Sequence, residues 1–379
     1  MINTIKTIGI VGGGQLGRMM IPSIKAMGLQ VVVLDPSKDC PCASQADKLI
    51  VAGFGDEAGF LALAKVSDVI TYEFEHIDTT LLAMLEDKGH KVYPSVQSLK
   101  VIQDKYTQKK ALKADGIAVP DLLAIKDLNG LKEYWAKTQK PFMLKSRRGG
   151  YDGKGNFVVK CESGIEEGFK MLSRGNDNDL MVEPMVDFEK EVSVIATRGI
   201  DGSIEVYPIC ENVHKDSILD TTTVPAHISD SIAKKAMDVA KNVMECFKGV
   251  GTFCTELFIS EKTGEVLVNE VAPRVHNSGH FSIEACRTSQ FENHIRAIIG
   301  LKPNKGTMVV PFSIMKNLIG SKDGVPSLKG IECVANLGDT NVHIYGKLDS
   351  KKGRKMGHVT LTGTEQEVKE KLAKVKIEL

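Results

Sequence analysis

The chain has 379 residues, with 49 Lys+Arg against 48 Asp+Glu and 42% hydrophobic residues. At roughly 150 residues per domain, that length holds two or three domains, each able to bury its own core. A net charge of +1 builds no long-range basic field for nucleic acid, and no apolar run approaches the ~18–20 residues of a membrane span.

The first residues carry no signal-peptide pattern and run directly into a strand, Thr7–Val11. Glycines 12–14 and 17 follow, then a helical pattern through Arg18–Met27 and a strand, Val31–Leu34, closed by Asp35-Pro36. Further strands are expected at Lys48–Val51, Val69–Phe74 and His90–Tyr93, with helices at Glu57–Lys65 and Thr79–Lys88. This alternation predicts a parallel sheet with helices on both faces, ending near residue 104. The texture then changes. A helix over Lys105–Ala114 precedes strands at Phe142–Lys145 and Phe157–Lys160, which flank a loop rich in Gly and Arg. Two hairpins are expected, Glu191–Arg198 with Ser203–Ile209 and Gly251–Ser260 with Glu265–Val271, separated by an amphipathic helix over Ser229–Phe247. Beyond residue 300, glycines punctuate short β-prone runs, which read as a small β-rich cap closed by a helix at Thr364–Lys376. The eight cysteines are scattered, and only Cys40 and Cys42 are close, so neither a zinc pattern nor a disulfide framework emerges. A reducing cytoplasm is the expected compartment.

Several residue groups point to chemistry. Gly12-Gly13-Gly14-Gln15-Leu16-Gly17 fits G-x-G-x-x-G between a strand and a helix. It reads as a dinucleotide site with Asp35 on a ribose hydroxyl, as a site for another ligand, or as a plain tight turn. Gly149-Gly150-Tyr151-Asp152-Gly153-Lys154-Gly155-Asn156, just after Lys145 and Arg147-Arg148, reads as a loop that folds over phosphates, its cations offsetting their charge. Glu256 and Glu270 lie symmetrically about Thr263, so a regular hairpin sets them face to face in otherwise apolar strands. Opposed carboxylates repel unless a cation lies between them or one is protonated, and magnesium bridging carboxylates and nucleotide phosphates is the natural cation. Asn269 joins them only where a bulge breaks the alternation. Arg274, Asn277 and Ser278 are read as an oxyanion-binding loop, because His276 and His280 lack a third ligand for zinc. Lys347 and the Lys351–Lys355 run form a basic cluster that is either a second anion contact or a solvated turn. Glu183-Pro184-Met185-Val186 offers main-chain groups to a purine edge, with Glu191 accepting from ribose hydroxyls.

Together the motifs GGGQLGRM (12–19), EFE (73–75), DKYTQK (104–109), RRGGYDGKG (147–155), EVSV (191–194), VNEVAPRVHNSGH (268–280), SQFENHIRA (289–297) and GRKMGH (353–358) span almost the whole chain. In that order the chain resembles the ATP-grasp superfamily, and within it the N5-carboxyaminoimidazole ribonucleotide synthetases. The resemblance implies a mixed α/β and α+β chain in three parts. These are a Rossmann-like pre-ATP-grasp domain over residues 1–104 that holds no dinucleotide, an ATP-grasp domain over 105–299 and a C-terminal β-rich domain over 300–379. It implies ATP-dependent carboxylation of aminoimidazole ribonucleotide with bicarbonate through carboxyphosphate, the amine capturing that species or CO2 released from it, with magnesium, or manganese in its place, as the metal.

Carried onto this chain, the resemblance gives Lys105, Lys145 and residues Gly150–Asn156 to ATP phosphates. Glu183, Pro184, Met185, Val186, Glu191 and His214 fall to adenosine, and Glu256, Asn269 and Glu270 to the metal and nucleotide end. Gln15, Leu16, Glu73 and Tyr151 fall to the ribonucleotide, with Arg274, Ser278, Lys347 and Arg354 on its phosphate. Asp152 orients the attacking amine and Lys347 steadies the carboxyl group. Family members commonly carry proline before the GRK turn, where this chain has Lys352. A homodimer, and a separate mutase for the next step because the chain stops at Leu379, complete what the resemblance implies.

Overall fold

The computed structural model describes residues 5–150, 153–173, 179–260, 262–327 and 329–377. The N-terminal segment runs β1 (Thr7–Val11), α1 (Gln15–Ala26), β2 (Gln30–Asp35), β3 (Lys48–Val51), α2 (Glu57–Val66), β4 (Val69–Tyr72), α3 (Thr79–Asp87) and α4 (Val96–Ile102). Its strands form a parallel sheet in the order β3-β2-β1-β4. Strand side chains alternate between faces, so Ile8, Ile10, Val31 and Val33 pack on α1, while Val11, Val32, Leu34 and Tyr72 pack on α2 and α3. The expected strand over His90–Tyr93 is reduced to a single bridge between Val92 and Ile70.

The next segment runs α5 (Lys105–Ala114), β5 (Leu123–Ile125), α6 (Leu128–Thr138), β6 (Phe142–Ser146), β7 (Asn156–Val159), α7 (Gly164–Ser173) and β8 (Leu180–Pro184). Four of these make an antiparallel sheet in the order β5-β8-β6-β7, closed over its own core by α6 and α7. Then come β9 (Lys190–Arg198), β10 (Ile204–Val206), β11 (Cys210–Lys215), β12 (Ile218–Val224), α8 (Asp230–Phe247), β13 (Gly251–Ser260), β14 (Glu265–Ala272), α9 (Ser282–Ala285) and α10 (Gln290–Ile298). The stripe Ile232, Ala236, Ala240 and Val243 on α8 covers Val192, Val194 and Phe253 of the sheet beneath.

The last segment, β15 (Phe312–Ile319), α11 (Ile331–Ala335), β16 (Thr340–Ile344), β17 (Lys355–Gly363) and α12 (Glu365–Leu372), is not a free-standing cap. β15 pairs with β12, Thr222 opposite Met315, and the sheet runs unbroken as β14-β13-β9-β11-β12-β15-β17-β16. An edge strand leaves unpaired N–H and C=O groups, and β15 satisfies those of β12.

Two seams fix these parts against one another. On α10, Phe291, Ile295 and Ile298 enter the same core as Leu16 and Met20 of α1. Between them His294 spans two sheets, its Nε2 2.8 Å from Thr71 Oγ1 on β4 and its Nδ1 accepting from the Thr252 N–H of β13 at 3.1 Å. The second seam is polar. Asn277, His280 and Glu284, at helical spacing, meet Asn317, His358 and His343, which stand in one row across β15, β17 and β16. The two amides bond reciprocally at 3.0 and 2.8 Å, the His280 and His358 rings lie 4.8 Å apart, and Glu284 meets His343 Nε2 at 2.6 Å.

Candidate active site

The β13–β14 hairpin closes with Ser260 opposite Glu265 and stays regular as far as Leu257 opposite Val268. Continued unbroken, that ladder would set Glu256 against Asn269. It slips by one residue instead, and Glu256 faces Glu270. The pair expected from symmetry about Thr263 is therefore correct, but the register behind it is not. A β-bulge at Asn269, not the turn, brings the carboxylates opposite each other. The bulge also enlists Asn269 itself. Its Oδ1 accepts from Lys145 Nζ at 3.3 Å, while Glu270 Oε2 accepts from Lys105 Nζ at 2.6 Å.

Burial, and then the neighbouring Glu270, push the Glu256 carboxyl up to about 7. His276 Nε2 lies 3.5 Å from Glu256 Oε1, and its Nδ1 accepts the Ser278 N–H at 3.3 Å. That bond places the ring proton on Nε2, facing Glu256. Donor atoms of Cys254, Glu256 and His276 lie within 4.8 Å of one another. The tautomer leaves Nε2 no lone pair for a thiophilic metal, however. Two carboxylates and an amide oxygen are instead the hard oxygen donors that suit magnesium.

Cations surround this end of the hairpin. Lys105 opens α5 behind Asp104, whose carboxylate caps the helix through the Tyr106 and Thr107 N–H groups. Asp104 also binds Arg147 NH2 at 2.5 Å and lies 3.5 Å from Arg148 Nε. One carboxylate thus offsets only part of the arginine charge expected to meet phosphates: Arg147 is held by Asp104, while Arg148 shares the same carboxylate and is largely exposed. Lys145 on β6 reaches Glu183 Oε2 at 2.8 Å, while Lys109 on α5 holds the other carboxylate oxygen. Burial, then repulsion from Lys145, lowers the Lys109 pKa, and the shared Glu183 carboxylate opposes that shift. The Glu183 carboxylate, read from sequence as an adenosine contact, points into this buried triad. Pro184 ends β8 and the following Met185 is exposed. Glu191 on β9 meets His214 Nδ1 on β11 at 2.5 Å; burial opposes the charged ring, but the carboxylate prevails and the His214 pKa is raised.

The glycine-rich loop joins β6 to β7 beside Lys145. Gly150 and Gly155 pack so tightly that a Cβ on Gly155 would sit 2.9 Å from the Gly150 Cα, and one on Gly153 would sit 2.3 Å from Ser217 Cβ. Asn156 begins β7 opposite Lys145. Tyr151 and Asp152 lie outside the described residues.

The glycine turn is occupied by the protein's own anions. The Gly13 N–H donates to Asp35 Oδ2 at 2.8 Å, and Gly14 and Gly17 N–H donate to the two oxygens of Glu73 at 2.6 and 2.9 Å. These N–H groups would serve a pyrophosphate, so the dinucleotide reading is overturned. Burial raises the Glu73 carboxyl, and these N–H groups and the Lys347 ammonium oppose it. Gln15 and Leu16 open α1 directly above.

Arg274 is not a free anion ligand. Its Nε and NH2 grip both oxygens of Glu75, NH2 at 3.0 Å, and NH1 donates to Val275 O at 3.1 Å. Despite burial, that pairing holds Glu75 down to about 2. Ser278 is buried with its Oγ accepting from Ser193, and Asn277 is committed to Asn317. Lys347 Nζ donates to Lys355 O at 2.6 Å and Arg354 NH1 to Asp349 O at 2.8 Å, so both lie on the same C-terminal loop. Lys109, Asp104, Glu75 and Asn317 escaped the sequence reading. Lys109 stands one helical turn beyond Lys105 in DKYTQK, a spacing that could have flagged it.

Comparison with known proteins matches residues 5–103 to the ribonucleotide synthetase preATP-grasp domain, 110–291 to the ATP-grasp domain and 313–371 to the phosphoribosylaminoimidazole carboxylase C-terminal domain. The chain is 44% identical over 354 residues to N5-carboxyaminoimidazole ribonucleotide synthase of Bacillus subtilis, covering 93% of this chain and 90% of the relative. Among solved structures it resembles the Staphylococcus aureus synthetase complexed with ADP, at 39% identity and TM-score 0.88 over 97% and 96% of the two chains. It also resembles the Aspergillus clavatus enzyme in complex with ADP and 5-aminoimidazole ribonucleotide, at 33% identity and TM-score 0.89 over 99% of each.

Proposed function

Because the chain belongs to the N5-carboxyaminoimidazole ribonucleotide synthase family of ATP-grasp ligases, we propose how its residues share out that reaction. The protein is an ATP-dependent carboxylase of aminoimidazole ribonucleotide in purine biosynthesis. In the proposed sequence a bicarbonate oxygen takes the γ-phosphoryl group of ATP, giving ADP and carboxyphosphate. The exocyclic amine then attacks the carboxyl carbon of carboxyphosphate, or of CO2 released from it; a C–N bond forms, the C–O bond to phosphate breaks, and the departing phosphate takes up the amine's proton.

Lys105, Lys145 and the loop containing Gly150, Gly153, Lys154, Gly155 and Asn156 neutralise the ATP phosphates. The main chain of Pro184–Val186, Glu191 and His214 hold adenosine. Glu256 and Glu270, with Asn269 beside them, are fitted to hold magnesium or manganese, which when bound neutralises phosphate charge. Such chemistry is largely positioning and charge compensation in a site that excludes water. Gln15, Leu16, Glu73 and Tyr151 form the ribonucleotide pocket, with Ser278, Lys347, Arg354 and the partly committed Arg274 on its phosphate. Asp152 orients the amine, since a carboxylate of ordinary pKa ~3.9 is a weak base toward it. The division at residues 104 and 299, a cytoplasmic homodimer and a separate mutase that takes the product belong to the same reading.

The opposed Glu256 and Glu270, with Lys105 and Lys145 at the same end of the hairpin, carry this proposal. Its test is ADP release with the ribonucleotide plus bicarbonate, formate or an amino acid in turn. Bicarbonate alone should support turnover, and Asp152→Asn should abolish it while ATP still binds. Turnover with formate, or none with bicarbonate, would overturn the reading.

A further inference from the structure

The Lys109–Glu183–Lys145 triad has an uneven composition. One carboxylate, almost fully buried, is shared by two ammonium groups, one from α5 and one from β6. The two lysines are placed differently. Lys109 is 1% exposed and reaches Glu183 from the protein interior. Lys145 is 8% exposed and touches both Glu183 and Asn269, one residue from Glu270. Lys145 thus stands between the buried carboxylate and the place where nucleotide phosphates are assigned, and Lys109 stands behind it.

A lone Glu183–Lys145 pair would be electrically closed, the lysine's charge being spent on its carboxylate in a site of low dielectric. A second ammonium on the far oxygen changes that balance. We propose that Lys109 is a positioning residue for nucleotide binding, holding Glu183 from the buried side so that the Lys145 ammonium keeps net positive charge for a phosphate. Glu183 is then the tether that aims Lys145 and Lys109 the counterweight that keeps the tether from neutralising it. This rests on the functional reading above, since it assigns Lys145 to ATP, and adds a residue that never touches substrate.

The inference separates from simple packing through a rescue. Titration calorimetry with ADP and magnesium should show Lys109→Met weakening nucleotide binding tenfold or more, with the KM for the ribonucleotide changed less than twofold. Adding Glu183→Gln to that variant removes the closed pair and should bring ADP affinity back to within threefold of the parent. A Lys109→Met protein that binds ADP as the parent does would overturn the proposal. So would a folded double variant that stays tenfold weak, since Lys109 would then be a packing residue only. If the single variant does not fold, the double variant decides alone on the same threshold. A parent protein that binds neither ADP nor ATP removes the functional reading and this inference together, whereas normal parent binding beside unaffected variants removes this one alone.

Discussion

Two carboxylates facing across a hairpin are a local liability, because like charges directly opposite destabilise a strand pair. The protein keeps Glu256 and Glu270 opposed and half-buried, with one lysine on Glu270 and a neutral histidine beside Glu256. Function explains what stability does not. Glu270→Gln should therefore cut ADP release at least a thousandfold while leaving the thermal midpoint in EDTA no lower than the parent's, as measured by calorimetry. A midpoint falling by several degrees would mean that the carboxylate is structural. Glu73, in the glycine turn, presents the same kind of reasoning. Its two oxygens stand where a phosphate would stand in a dinucleotide site, so the glycine motif is retained while its ligand is replaced from within.

The glycines of that turn are needed for space more than for an approaching cofactor. A Cβ on Gly14 would lie 2.3 Å from Glu73 Oε1, and Gly12, with φ +98°, would clash with Glu73 Cγ. Gly14→Ala should cost about 1–3 kcal/mol of stability in denaturant unfolding and confer no NADH binding by fluorescence titration. Elements with strong periodicity were legible in advance: α5 has the expected bounds, and α8 and the β13–β14 hairpin differ by a residue at most. α6 and α7 escaped because their cores form only against a sheet assembled from distant residues. The facing glutamates were legible as a pair, yet the bulge was not, because nothing local in Val268-Asn269-Glu270 marks a one-residue slip. The charge partners were the least legible. Arg147 and Arg274 read as phosphate ligands because their carboxylates, Asp104 and Glu75, lie 43 and 199 residues away in sequence.

At the scale of the whole molecule, buried histidines hold the parts together. His294 is locked between Thr71 and Thr252, and burial lowers it from 6.5 to about 4. A depressed histidine lets the unfolded chain take up protons first, so its contribution is intact above pH 6.5 and is lost as pH falls from 6.5 toward 4. Between pH 7.5 and 5 this group alone should remove about 2 kcal/mol of stability. Burial pushes His276, His280 and His358 down as well, adding in the same direction. Urea unfolding at the two pH values checks this, and His294→Gln should be less stable at pH 7.5 but show a shallower pH slope. An unchanged slope would place the acid sensitivity elsewhere.

The pairing of β12 with β15 has a practical corollary. Sequence comparison draws a boundary between the grasp and the C-terminal segments, yet the backbone ladder crosses it, so ancestry and severability part company here. An expression vector encoding residues 1–300 would produce a polypeptide with a naked β-edge and half of a polar interface turned to water. Such a fragment is destined for inclusion bodies, and complementation by the missing piece supplied in trans would require strand addition along that edge.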